Sequence, residues 1–152
     1  MVKKELFITW PSNFIRKKTK KIKGIDKKKI KKIKNLIEIT KNNLNIIGVA
    51  ANQIKSKYRI FIINIYDNKK KKYKKEIFIN PKIIKKSKFK IFAIESCLSV
   101  VGKSGIVKRS KYILIKYKNI YNKTKIKIFE GINSICIQHE VDHLNGILWI
   151  DY

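Results

Sequence analysis

Gln138-His139-Glu140-Val141-Asp142-His143-Leu144 decides how the remaining sequence is read. Residues four apart on an α-helix stand one turn above each other on the same face. His139 and His143 can therefore offer two imidazole nitrogens to one divalent metal. Glu140, beside the first of them, can reach a water on that metal. This is the HExxH arrangement, two ligands plus a general base. The segment that carries it, Gly131 to Leu144, reads as a buried helix, with Asn145-Gly146 as its C-terminal stop.

A catalytic metal needs a third protein ligand and one open position. In the longer pattern HExxHxxGxxH, Gly146 stands where glycine is wanted, but Trp149 stands where the third histidine would be. No Glu follows His143, and Asp151 is the one downstream carboxylate near enough to consider. Upstream, Cys136 lies three residues before His139 on roughly the same helix face, where a cysteine is ordinarily a small buried hydrophobe. Cys97 lies in Ile94-Glu95-Ser96-Cys97-Leu98-Ser99-Val100, at the end of an expected strand and before a loop. The thiolate of either is a suitable ligand.

Working outward, Pro11 to Arg16 reads as a turn and Lys17 to Lys23 as a basic loop. Asp26 is an expected N-cap for a helix from Lys27 to about Asn43. Its apolar stripe would be Ile30, Ile33, Leu36, Ile37 and Leu44, at helical spacing between lysines. In Ile46-Ile47-Gly48-Val49-Ala50-Ala51-Asn52-Gln53, the small residues let something approach the backbone closely. Strands are expected at Tyr58–Tyr66, Ile77–Asn80 (ended by Pro81), 82–86, Phe89–Ile94, Ile106–Arg109, Tyr112–Tyr117, Lys125–Phe129 and Ile147–Ile150. Lys69 to Lys75 reads as a basic hairpin tip, Gly102 to Gly105 as a loop and Asn119 to Thr124 as a turn. Many short strands and two helices make an α+β fold. The expectation is one domain over residues 1–152, with short antiparallel sheets around the central HExxH helix and an amphipathic helix near the N-terminus.

Composition narrows the setting. The 152 residues are a single-domain length. Lys+Arg number 38 against Asp+Glu 10, a formal charge of +28, with 44% hydrophobic residues. Heavy use of Lys, Ile and Asn matches A/T-rich codons, so base composition accounts for the excess. The surface will still attract RNA, ribosomes and anionic membranes in a salt-dependent way. The two cysteines make no disulfide framework. No apolar run suits a signal peptide or a membrane span, so the cytoplasm is the expected location.

Three segments, in order, resemble those of one family. Gly48-Val49-Ala50-Ala51-Asn52-Gln53 resembles GxAAxQ, Glu95-Ser96-Cys97-Leu98-Ser99 resembles EGCLS, and Gln138 to Leu144 resembles QHExDHL. Together they are similar to peptide deformylase, which removes formate from N-formylmethionine at the start of new bacterial proteins. The resemblance runs from about Pro11 to Tyr152, with Arg109 among the lesser matches. It implies Cys97, His139 and His143 as metal ligands and Glu140 as acid/base. Gln53 and the backbone N–H of Leu98 would stabilise the oxyanion. Substrate contacts would come from Ile47 and Gly48, which would pair with the peptide as an added strand, and from Ser96 and Glu95. Glu95 is also implied to be paired with an arginine or placed behind a ligand. Asp142 would fix a histidine or helix end, and Ile132, Ile135 and Cys136 would line the methionine pocket. The implied metal is Fe2+, with Zn2+, Ni2+ or Co2+ as replacements. The implied partner is an N-formylmethionyl nascent peptide. Electrostatic attraction to the ribosome is expected, while specific nucleic-acid binding and a membrane partner are not. The protein is expected to be a monomer.

Ile46 and Ser96 stand where the family has Gly, Val101 where it has Pro, and Ser104 where Arg or an aromatic is common. These departures bear on peptide affinity and selectivity and leave the ligand set intact. Two other readings use the same residues: a metal-dependent amidase of different substrate range, and a basic RNA- or ribosome-binding protein with a relict metal site.

Overall fold

Ile60, Phe61, Ile62 and Ile63 are all fully buried, although successive side chains on a strand point to opposite faces. Such a run needs cover on both sides of its sheet. In the computed structural model, which describes residues 7–41 and 45–152, two helices supply it. The elements are α1 (Lys27–Lys41), β1 (Gly48–Ala50), a 3-10 turn (Ala51–Ile54), β2 (Ile60–Asp67), β3 (Lys72–Lys86), β4 (Lys90–Cys97), β5 (Val100–Ser110), β6 (Tyr112–Lys118), β7 (Thr124–Glu130), α2 (Gly131–Leu144) and a second 3-10 turn (Trp149–Asp151).

The strands form a five-stranded sheet, ordered β1-β2-β3-β6-β7, and a separate β4-β5 pair, with antiparallel pairing throughout. Ile60 and Ile62 pack with Ile33, Leu36 and Ile39 of α1. Phe61 and Ile63 pack with Ile137, Val141 and Leu144 of α2, together with Phe78 and Ile115. The architecture is α+β, antiparallel sheets with two helices.

Asp26 Oδ1 accepts a hydrogen bond from Lys29 N at 2.9 Å, which satisfies a donor in the first turn of α1. The buried arc of α1 centres on Ile33, Leu36, Ile39 and Thr40. Ile30 falls on the rim of that arc at 3.6 residues per turn and is 41% exposed, so it does not belong to the apolar stripe as expected. Leu44, the last expected member, lies outside the described residues.

Several expected boundaries change, and the basic tip shortens because Lys72 to Lys75 pair with β2. Pro81 does not end a strand: β3 runs through it in one piece of 15 residues. A register shift between Ile79 and Lys82, with Asn80 at φ 51°, forms a bulge that accepts a residue without an N–H. Residues 102–105 are not a free loop but part of β5, because Ser104 and Gly105 pair with Ser96 and Glu95. Residues 147–150 are not a strand. The Asp151 carboxylate accepts from Leu148 N at 2.8 Å and winds Trp149–Asp151 into a 3-10 turn.

Candidate metal centre and active site

α2 projects His139 and His143 from one face, and the end of β4 brings Cys97 against them. The two Nε2 atoms lie 3.1 Å apart, and Cys97 Sγ lies 3.1 Å from His143 Nε2. Among the described residues this is the one cluster of His, Cys or carboxylate donors suited to a metal, all its ligand atoms falling within 4.8 Å of one another. Four-coordinate tetrahedral bonds of about 2.0–2.3 Å place neighbouring donors roughly 3.3–3.6 Å apart. Two of the three separations are 3.1 Å and all fall within 4.8 Å, so two imidazole nitrogens and a sulfur converge in a way that fits a divalent metal. Cys136 lines the cavity beside α2 but stands outside this cluster. Asp151 is held instead by Arg16 and by Leu148 N.

Each imidazole is prepared differently. His139 Nδ1 donates to Glu95 Oε2 at 2.8 Å, which directs Nε2 toward the cluster. Burial alone would lower the pKa of His139, but hydrogen bonds to Cys97 and Glu95 and the nearby Glu140 charge outweigh it and raise it to about 10. His143 goes the other way: burial, His139 and Arg109 hold it well below the usual histidine range. His139 thus favours its charged form and His143 its neutral one, which suits His139 Nε2–H donating to His143 Nε2.

Glu95 was expected among the substrate contacts. Although it borders the cavity, its carboxylate is buried and fully engaged. Arg109 Nε and Nη2 donate to its two oxygens at 2.7 and 2.9 Å, and Oε2 also receives His139. Burial opposes its charge, yet Arg109 and His139 pull its pKa down to about 2. Asp142 does not touch a histidine: it pairs with Arg109 Nη1 and accepts from Tyr152 OH at 2.7 Å. Its effect on His139 passes through Arg109 and Glu95.

Glu140 is 5% exposed, and its Oε2 is buried without a hydrogen-bond partner. Burial raises its pKa to about 7, with the Glu95 charge adding to the rise and His139 opposing it. Gly48 makes room for this carboxylate, since a Cβ there would stand 2.6 Å from Glu140 Oε1. Gln53 is buried in the 3-10 turn after β1. Its Oε1 accepts from Ala50 N at 2.8 Å, and its Nε2 reaches Ser99 Oγ at 3.1 Å and Cys97 Sγ at 3.6 Å.

These groups border a cavity of about 1010 Å³. Ile46, Ile47 and Gly48 form one wall, Ala93 to Leu98 another, and Ile132, Ile135 and Cys136 of α2 a third. Among the described residues β1 is the last strand of its sheet, so its outer edge can accept an extended chain. Ser96 is exposed on β4 opposite Ser104, while Ile46 is buried against the α1 side of the sheet.

Sequence reasoning missed several supports. Ser99 anchors Gln53. Asn52 Nδ2 donates to the His143 carbonyl. Arg59 is buried at the C-terminal end of α2, where Nη1 donates to Asn145 Oδ1 at 2.9 Å and Leu144 O at 3.3 Å. One signal was available, because only Arg16, Arg59 and Arg109 among the 38 basic residues are arginine. All three make side-chain bonds to carboxylates or carbonyls that suit a planar fork better than an ammonium.

Comparison with known proteins agrees with this geometry. The model of the polypeptide deformylase family matches residues 5–152. The chain is similar to the peptide deformylase of Buchnera aphidicola subsp. Cinara cedri, 40% identical over 145 residues and covering 95% of both proteins. It superposes on a probable peptide deformylase from Synechococcus phage S-SSM7 with a TM-score of 0.86, at 31% identity, over 96% of this chain and 97% of that one. For the peptide deformylase of Thermotoga maritima the TM-score is 0.85 at 30% identity, over 95% and 94%. The chain belongs to the polypeptide deformylase family, metal-dependent hydrolases that remove the formyl group from N-formylmethionine peptides.

Proposed function

We propose that Cys97, His139 and His143 hold one divalent metal, Fe2+, and that Glu140 is the acid/base of the formyl hydrolysis. The observation that carries this reading is the convergence of one sulfur and two imidazole nitrogens beside a buried carboxyl with an unpartnered oxygen. Thiolate and imidazole together also suit Zn2+, Ni2+ and Co2+, which are the expected replacements.

The bound metal supplies Lewis acidity, which polarises the formyl carbonyl and lets a water ionise near neutral pH. Glu140 Oε2 is buried without a partner, and burial pushes its carboxyl up from the ordinary carboxylate range, so it can take a proton from the attacking water and pass it to the nitrogen of the departing amine. A positioned acid/base of this kind contributes roughly 10²–10⁴ in rate. Gln53, oriented by Ala50 N–H on its carbonyl, and the Leu98 backbone N–H face the oxygen on which charge develops. Losing one such donor costs about 10²–10³ in rate. Ile47 and Gly48 bind the peptide along the edge of β1, with Ser96 on the facing wall. Ile132, Ile135 and Cys136 take the methionine side chain. Glu95 orients His139 through its carboxylate and borders the cavity in which the substrate lies.

In this reading residues 1–152 are one domain, whose sheets are arranged around α2 as the metal-holding centre. Its substrate is the formylated end of nascent chains in the cytoplasm, and it acts as a monomer. No helix among the described residues is long and apolar enough to cross a membrane. The lysine-rich surface draws it to the ribosome by charge alone, without reading nucleic-acid sequence. Formate release from formyl-Met-Ala-Ser, followed anaerobically with Fe2+- or Ni2+-loaded protein, tests the proposal; metal-replete protein that turns nothing over rejects it. Glu140→Ala should keep the metal and lose nearly all rate.

A further inference from the structure

Four side chains of the Lys, His, Asp and Glu types border the cavity: Glu95, His139, Glu140 and Lys103. Glu95 and His139 are bonded to each other, and Glu140 is buried. Lys103 differs from all three. It is exposed, and it makes no ion pair among the described residues.

Its place is set by the backbone. β4 pairs Cys97 with Val100 and Ser96 with Ser104, so Val101, Gly102 and Lys103 form an excursion between two register positions. Gly102, at φ 72°, makes that excursion easy. The Lys103 ammonium stands 5.0 Å over the ring of Trp10, whose backbone N–H donates to Ser99 O at 2.7 Å. The cation is thereby tethered to the turn that carries Cys97 and Leu98, on the same side of the cavity.

We propose that Lys103 is a specificity determinant that favours substrates bearing a carboxylate on the residues just after formylmethionine. This rests on the reading above, that formyl peptides bind in this cavity. The carboxylate can be an Asp or Glu side chain or the free C-terminus of a short peptide, and amidated substrates separate the two. An exposed ion pair of this kind should raise kcat/KM about 1.5- to 5-fold, through KM, and fade as salt is added.

The test compares formyl-Met-Ala-Ser-amide with formyl-Met-Asp-Ser-amide, formyl-Met-Ala-Asp-amide and the free acid formyl-Met-Ala-Ser. Each is measured with metal-loaded wild type, Lys103→Gln, Lys103→Glu and Lys31→Glu. Lys31 is exposed on α1, away from the cavity, and changes the net charge as much as Lys103→Glu does. Each protein is scored by its acidic-to-neutral ratio of kcat/KM, so losses of active protein cancel. Lys103→Gln should remove the preference, Lys103→Glu should reverse it and Lys31→Glu should keep it. A wild type that turns over the neutral amide with no acidic preference overturns the proposal while leaving the proposed function standing. Equal shifts in Lys31→Glu and Lys103→Glu also overturn it, in favour of the general field of a +28 protein. If the neutral amide itself is not hydrolysed, the proposed function falls and the role of Lys103 falls with it.

Discussion

Glu95 Oε2 accepts the Nδ1–H of His139 at 2.8 Å while Arg109 grips the same carboxylate through two nitrogens. This fixes the ring and the position of one proton before any metal arrives. Replacing such a buried partner typically weakens metal affinity by about 10–100-fold. Glu95→Gln should do so here: the amide can still accept from His139, but it gives up the ion pair with Arg109. Chelator competition measures the affinity, and an unchanged value would show that ring packing alone orients His139.

Metal uptake should release protons. His139 is held protonated to about pH 10 in the metal-free cluster, yet a ligand must offer a lone pair. Its folded pKa is raised, so the proton is bound throughout the neutral range and the metal has to displace it. Affinity should therefore strengthen with rising pH, about tenfold per unit for each proton displaced. Calorimetry in buffers of different ionisation enthalpy counts the protons; a count of zero would contradict a protonated His139.

Gly48→Ala isolates the position of the acid/base. The new methyl would meet Glu140 Oε1 at 2.6 Å, so the carboxylate must move while the three donor atoms stay in place. A displacement of this size can cost about 10² in rate. The expected result is that loss in kcat with metal stoichiometry intact. Loss of the metal as well would mean that the helix moved, not the side chain.

Arg59→Met probes the far end of α2. The guanidinium donates to Pro81 O at 3.2 Å as well as to Leu144 O and Asn145 Oδ1; Leu144 O keeps Thr19 N and Oγ1, both at 2.9 Å, but Pro81 O and Asn145 Oδ1 lose this donor when it goes. An unsatisfied buried polar group costs about 1–3 kcal/mol, which corresponds to a fall in Tm of roughly 2–4 °C per kcal/mol at this size. Thermal unfolding of the metal-free protein measures it directly.

Much of the frame was legible in the residues. The apolar runs at Ile60–Ile63 and Tyr112–Tyr117 read as strands, and the lysine-spaced isoleucines after Asp26 read as a helix. Two of the errors fell where distant pairing overrides local preference. Pro81 looks like a strand end until the bulge opposite β6 absorbs it. Ser104 and Gly105 look like loop residues until β4 pairs with them.

By itself the sequence determined that His139 and His143 share a helix face with Glu140 between them, because helical periodicity acts within one turn of chain. Only the tertiary structure decided which sulfur meets those imidazoles. Cys136 rides on the same helix three residues before His139, yet it stands outside the cluster. Cys97 lies far away along the chain and arrives through the β4-β5 turn. The same is true of the Arg109–Glu95–His139 chain of bonds and of Arg59 under the end of α2. Each joins side chains separated by many residues, and their meeting depends on strand register and closure of the core, which no local pattern encodes.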